Sequence, residues 1–269
     1  MHLLLIAIAL LLSLRAPARG DDSLSLAEVI AAALSHNPAL QAARARVDAA
    51  RAVPAQVAAY ADPKLSYEAF NVPNSLRLDR AENNIFQVSQ AIPFPGKRGL
   101  AGTVAKHDAE AMASGLRSLE LDTVAMVKRA YYDLWLADAR RQLYERDRVL
   151  GQRLTRLAEQ RYATAEVSQA DVLQAQVELS RLINRTMTAR LAIASAAAEL
   201  NAMLSRPPNQ ALDLPEIPDI PPIEQPLAHW VELALQQRPE LEAQRALLAR
   251  ESSNVELARK QYYPDFEVT

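Results

Sequence analysis

The chain has 269 residues, with 30 basic and 32 acidic side chains, a formal net charge of −2 and a pI near 6.1. The charges are interspersed and leave no basic face to neutralise phosphates, which argues against a nucleic-acid partner. There is no cysteine, which excludes disulfides, thiolate metal sites, cysteine nucleophiles and an acylated cysteine behind a signal sequence.

Leu3 to Leu14 is an almost unbroken apolar run, followed by Ala16-Pro17-Ala18. The run is too short to span a bilayer as a helix, and the small-x-small pattern predicts a signal peptide over residues 1–18, cut after Ala18. No Lys or Arg precedes the run, so a short membrane anchor is the other reading. On both readings the rest of the chain lies outside the cytoplasm.

From Leu26 the sequence LAEVIAAALSHNPALQAARARV predicts helices over residues 26–60. Pro38 marks the end of a short helix and the start of a longer one, with Asn37 suited to cap it. Pro54 falls inside the longer helix and is expected to kink it or end it early.

The period then changes. Lys64 to Val72 and Asn84 to Ile92 are each about nine residues long, giving a β-hairpin over 64–92. In the second, Phe86, Val88, Gln90 and Ile92 alternate with Ile85, Gln87, Ser89 and Ala91. Length and alternation fit a transmembrane β-strand; they fit equally a soluble hairpin half-buried on a core. Pro73 to Asn83 is polar and turn-rich, as an external loop would be.

The string QAIPFPGKRG leaves the second strand. Pro93 and Pro95, flanking Phe94, fix φ and withdraw two donors from the sheet edge. Gly96 and Gly99 permit a reversal. Lys97 and Arg98 are expected at the membrane–water boundary.

Between Pro95 and Pro207 lie 111 residues without proline, dominated by strong helix formers. They predict a long antiparallel helical hairpin over 100–204: one helix from Leu100 to Tyr162, roughly 95 Å, and one from Ser168 to Leu204, roughly 55 Å. No apolar run after residue 20 is long enough to cross a membrane, so helices of this length point to coiled-coil packing. Val127, Ala130, Leu134 and Ala137 supply one seam, and Leu179, Ile183, Met187, Leu191, Ala194 and Ala198 the other. Ser168 and Asp171 have capping-box spacing at the link.

Seven prolines between Pro207 and Pro226 make residues 207–226 an extended linker. From Leu227 the opening pattern returns. LAHWVELALQQRPELEAQRALL aligns without a gap on the run from Leu26, 201 positions earlier, with Pro38 on Pro239 and Pro63 on Pro264. Residues 19–206 therefore read as one complete structural repeat and 227–269 as the start of a second. The expected continuation is a further stretch of about the same length, and the chain is read as C-terminally truncated.

Catalytic constellations are absent from the pattern. His2, His36, His107 and His229 are scattered, without a helix-spaced second ligand of the kind a metal site needs. His36 and His229 are expected on helix surfaces. No metal site, cofactor or enzymatic activity is predicted.

The order helix, strand, loop, strand, turn, very long helix, tight turn, long helix, proline linker, repeat resembles the outer-membrane efflux protein family, of which TolC is the best-known channel. Two segments carry the resemblance. Gln90 to Gly99 looks like the barrel-to-helix turn (Pro93, Phe94, Pro95, Gly96, Lys97, Arg98, Gly99) of the branch paired with cobalt–zinc–cadmium and copper–silver exporters. Arg161 to Ser180 resembles the helix–turn–helix at the periplasmic tip, where Tyr162, Ala165, Val167, Ser168 and Asp171 match positions that dock an adaptor. Family members usually carry glycine where this chain has Ala165. Alanine disfavours positive φ, so the tip is expected to be tighter or differently wound.

The resemblance implies a mainly α fold, a TolC-like tandem repeat with a long coiled-coil hairpin and a transmembrane β-hairpin. It implies a homotrimer in the Gram-negative outer membrane, in contact with outer-membrane lipid and extending into the periplasm. Such a channel is a passive subunit of a tripartite efflux pump, working with a periplasmic adaptor and an inner-membrane transporter to export metal cations or small toxic compounds. The alternatives are a soluble periplasmic coiled-coil or adaptor protein, and the outer-membrane channel of a type I protein secretion system.

Overall fold

The computed structural model describes residues 24–70, 83–215 and 222–269. The predicted signal sequence, most of the loop Pro73 to Asn83 and the middle of the proline linker lie outside the described residues. The elements, in order, are α1 (Leu26–His36), α2 (Pro38–Ala58), β1 (Lys64–Phe70), β2 (Asn83–Ile92), α3 (Lys97–Ala163), α4 (Gln169–Met203), α5 (Leu227–Gln237), α6 (Pro239–Lys260) and β3 (Phe266–Val268). By contact they form two units, Met1–Asn37 with Thr123–Pro221, and Pro38–Asp122 with Pro222–Thr269.

In the first unit α3 and α4 are antiparallel. Reading toward the link, Glu145 meets Arg190 at 2.7 Å, Thr155 Oγ1 donates to the Ala175 carbonyl at 3.3 Å, and Gln176 donates to Glu159 at 3.2 Å. Far from the link, Val29 and Ala33 of α1 pack on Val127, Ala130, Tyr131 and Leu134 of α3 and on Leu200 and Leu204. Burial of a side chain such as Leu134 or Leu200 stabilises the fold by about 1.5–3 kcal/mol each. The Tyr131 hydroxyl donates to the Leu24 carbonyl at 2.7 Å, so the one polar tip in this core is satisfied. Asn201, fully buried, donates through Nδ2 to the carbonyls of Gln210 (2.8 Å) and Pro208 (3.3 Å) and ties down the start of the linker. The linker then runs beside Leu24, whose N–H donates to Leu214 O at 3.2 Å.

The seam expected on α3 is the buried one: Val127, Ala130, Leu134 and Ala137 are all covered. The seam expected on α4 is covered only in part, at Leu179 and Ala198. Met187 is 60% and Leu191 72% exposed, and the covered face is Val172, Thr186, Ala189 and Leu200. The helix carries two apolar stripes, and α3 takes the one that places Leu182 against Gly151.

In the second unit α2 buries Leu40 and Val47. Its far end crosses α3 at Gly102, where an added Cβ would lie 3.3 Å from the Ala58 Cβ. Pro54 does not end the helix, which continues to Ala58. Proline removes only one internal hydrogen bond, and four further residues complete a last turn. α6 is fastened along α3 by Arg117–Glu242 (3.0 Å), Ser118–Glu240 (2.8 Å) and Arg250–Asp108 (2.6 Å). The second-copy helix α5 has 11 residues, as α1 does, but none of them is buried.

The sheet is antiparallel with order β1-β2-β3. Its register places Leu65 opposite Val88 and Tyr67 opposite Phe86 on one face, with Ser66 opposite Gln87 and Lys64 opposite Ser89 on the other. β3 extends the pattern, with Ile92 opposite Phe266 and Ala91 opposite Glu267. One face is therefore apolar and the other largely polar. The apolar face is bare: Leu65 is 76%, Phe86 75% and Val88 60% exposed. The hairpin is not half-buried on a soluble core.

Candidate functional site

Two reversals hold the residues singled out by sequence. The first is the link between α3 and α4. α3 closes with Glu166 N–H donating to Arg161 O (2.8 Å) and Ala165 N–H to Tyr162 O (3.0 Å), the paired bonds of a Schellman ending. That ending needs a left-handed residue, and Ala165 supplies it with φ +57°. The tip is thus wound as a glycine would wind it, contrary to the expectation from alanine. The strain is held by the two bonds across it and by Thr164, whose hydroxyl donates to Arg161 O at 3.1 Å and contacts Glu166 at 3.0 Å.

Ser168 then caps α4. Its Oγ accepts from Asp171 N–H at 3.3 Å, and Asp171 Oδ2 accepts from Ser168 N–H at 2.9 Å. The Ser168 hydroxyl also donates to Asp171 Oδ2 at 2.7 Å. These bonds hold the Asp171 carboxyl below its ordinary value, the Ser168 side chain first and its backbone second. Tyr162 is half-exposed and Val167 partly covered, and all five tip residues lie along the reversal between α3 and α4.

The second reversal joins β2 to α3. Gly96, at φ +93°, turns the chain, and Lys97, Arg98 and Gly99 already belong to the first turn of α3. Lys97 and Arg98 are both engaged by other segments of the chain. Lys97 Nζ donates to Asp265 Oδ1 and to Tyr263 O, both at 2.7 Å, and its side chain is only 13% exposed. Arg98 Nε donates to Ala58 O at 2.8 Å, closing the end of α2, and its guanidinium lies 3.4 Å from the Tyr60 ring centroid. Phe94 stacks on Tyr263 at 4.6 Å, and its N–H donates to Asp265 Oδ1 at 2.8 Å. Lys97 and the Phe94 N–H together hold the Asp265 carboxyl low. Pro93 and Pro95 flank Phe94 and add no donor to this network.

Sequence reasoning missed the partners of this turn. Asp265, Tyr263, Tyr60 and Ala58 come from the two segments that precede β1 and β3. An acid directly after Pro264 was the available signal.

His36 and His229 lie on exposed helix faces. His107 does have an acid three residues on: its Nδ1 lies 2.9 Å from Glu110 Oε2. The pair stands alone, and no group of three or more potential metal ligands occurs among the described residues. Nor is any helix among them long and apolar enough to cross a membrane.

The described residues thus include a paired helical hairpin and a sheet with one bare apolar face. Residues 29–206 match the outer membrane efflux protein family, and the chain belongs to that family. It is 30% identical over 263 residues to protein CyaE of Bordetella pertussis, covering 94% of this chain and 55% of CyaE. Its fold is similar to that of the outer membrane protein VceC from Vibrio cholerae (TM-score 0.72, 19% identity, 90% of this chain and 60% of VceC). It is equally similar to CusC, whose structures concern folding and transmembrane channel formation (TM-score 0.72, 18% identity, 90% of this chain and 58% of CusC). The chain thus spans little more than half the length of these relatives.

Proposed function

We propose that the chain forms part of the wall of a homotrimeric outer-membrane channel in a tripartite efflux pump. The observation that carries the proposal is the two-faced sheet. Leu65, Phe86, Val88, Phe266 and Val268 are exposed on one side, and Ser66, Gln87, Ser89 and Glu267 occupy the other. Lipid outside and water inside satisfy such a sheet, and neither solvent alone does. The helical hairpin extends into the periplasm, and its tip (Tyr162, Ala165, Val167, Ser168, Asp171) docks a periplasmic adaptor coupled to an inner-membrane transporter. The channel supplies a passage and a docking point; chemistry and energy come from its partners.

Metal cations or small toxic compounds are the cargo suggested by the PFPGKRG turn. Passage through a wide aqueous duct depends on pore width and wall charge rather than on tight binding. The same duct would serve a secreted polypeptide. Fractionation tests the channel: the protein is expected in the detergent-extracted outer membrane, and recovery in the soluble periplasmic fraction would sink the proposal. Growth of a deletion strain on a panel of metals and drugs, with its secreted proteins compared, tests the cargo. Unchanged metal tolerance would remove the metal branch.

A further inference from the structure

We propose that Asp265 and Lys97 act as a register latch that selects how the second repeat joins the sheet. β3 has three residues, paired as Gln90 with Val268, Ala91 with Glu267 and Ile92 with Phe266. Backbone hydrogen bonds carry no side-chain information, so an antiparallel ladder slipped by one residue makes bonds of the same kind. That slip would carry Phe266 and Val268 to the polar face and Glu267 to the apolar one. The strand's own hydrogen bonds therefore choose weakly between registers that differ completely in where they put their side chains.

The choice is made one residue before the strand. Asp265 Oδ1 accepts from the Phe94 N–H at 2.8 Å and from Lys97 Nζ at 2.7 Å, and Lys97 also grips Tyr263 O. Phe94 and Tyr263 stack with an interplanar angle of 16°. One residue of slip moves the carboxylate about 3.4 Å along the strand. It would break both bonds and leave a largely covered ammonium without its counter-charge, which is costly. The position equivalent to Asp265 in the first copy is Lys64, so the acid belongs to this seam alone. Lys97 and Asp265 are positioning residues, acting on the channel wall through β3.

The chain has no native cysteine, so engineered pairs report register without background. In the full chain, Ala91→Cys with Glu267→Cys reports the native register; Ala91→Cys with Phe266→Cys or Val268→Cys reports the two slips. Oxidative crosslinking is expected to favour the native pair strongly. Asp265→Ala and Lys97→Met are each expected to shift the native-to-slipped ratio about ten-fold, the effect of losing a charge-assisted hydrogen bond. Lys97→Arg, which keeps the donor, should hold the native ratio. Asp265→Asn keeps an oxygen for the Phe94 N–H and should give an intermediate ratio, and it is scored the same way if Asp265→Ala does not fold. An unchanged ratio in Lys97→Met overturns the proposal. So does loss of all three crosslinks with helix content intact, because the pair would then retain the strand without choosing its register.

Discussion

Leu182 fills the place that a β-carbon on Gly151 would need: the Leu182 Cδ1 and an added Cβ would be 2.9 Å apart. This contact sets how closely α3 and α4 approach near the tip. Glycine inside a helix costs about 1 kcal/mol against alanine, and here the close packing offsets it. Gly151→Val is expected to destabilise the hairpin by about 1–3 kcal/mol through overpacking. Adding Leu182→Ala should recover part of that loss, so the two changes are non-additive. Denaturant unfolding followed by circular dichroism gives the double-mutant cycle, and strict additivity would show that the two side chains do not compete.

Ala165 holds a left-handed backbone at φ +57°, a conformation that is unfavourable by about 1–2 kcal/mol for residues with a Cβ. Ala165→Gly relieves that strain and loosens the unfolded chain, for an expected net gain of about 0.5–1 kcal/mol. Ala165→Val should lose stability. The order Gly above Ala above Val in unfolding midpoint is the reading, and an inverted order would contradict the backbone assignment.

The Asp171 carboxyl, held low by Ser168, gives the capping box a defined pH response. The folded value lies below the ordinary aspartate value of 3.8. Its contribution is therefore complete above the unfolded value and is lost as pH falls through the folded one. Asp171→Asn should show less stability than the parent at neutral pH. The gap should close once the medium is acid enough to protonate Asp171. A gap that persisted in strong acid would mean that the charge is not the source.

Arg98 closes α2 with one hydrogen bond and covers Tyr60 with its guanidinium plane. Lysine keeps the charge but neither the planar stack nor the fixed fork. Arg98→Lys is expected to cost about 1–2 kcal/mol, from a cation–π contact and a hydrogen bond to a carbonyl. Tyr60→Leu should remove most of the difference between Arg and Lys at this position. If Arg98→Lys is neutral in the parent, the stack contributes nothing.

These sites also show what a sequence can and cannot say. The hairpin was legible because helix length, the absence of proline and the Ser168/Asp171 spacing are local properties of one chain segment. The doubled opening was legible because α1 and α5 keep the same length and spacing. Which stripe of α4 would be covered was not legible. Ile183, Met187 and Leu191 have the right period and larger side chains, yet the helix turns Thr186 and Ala189 inward. Periodicity finds apolar faces without naming their partners, and a helix in an assembly can need two. The partners of Lys97 and Arg98 were not legible for a related reason. Their partners come from residues as distant in the chain as Asp265 and Ala58, and no local rule reaches that far. Pro54 is a different case: the local rule allowed an early end, and α2 continues past it to Ala58.

The contrast between α1 and α5 has a kinetic consequence. Eleven-residue helices are marginal in water on their own. α1 is held by Val29 and Ala33 beneath a packed cluster, while Trp230 and Val231 of α5 stand about half-exposed with nothing buried beside them. Opening of α1 must disrupt a core; opening of α5 need not. Amide protons of α5 should therefore exchange with deuterium well before those of α1, and limited proteolysis should cut first near Leu235 rather than near Leu34. Equal protection of the two helices in the isolated chain would mean that some partner already covers Trp230.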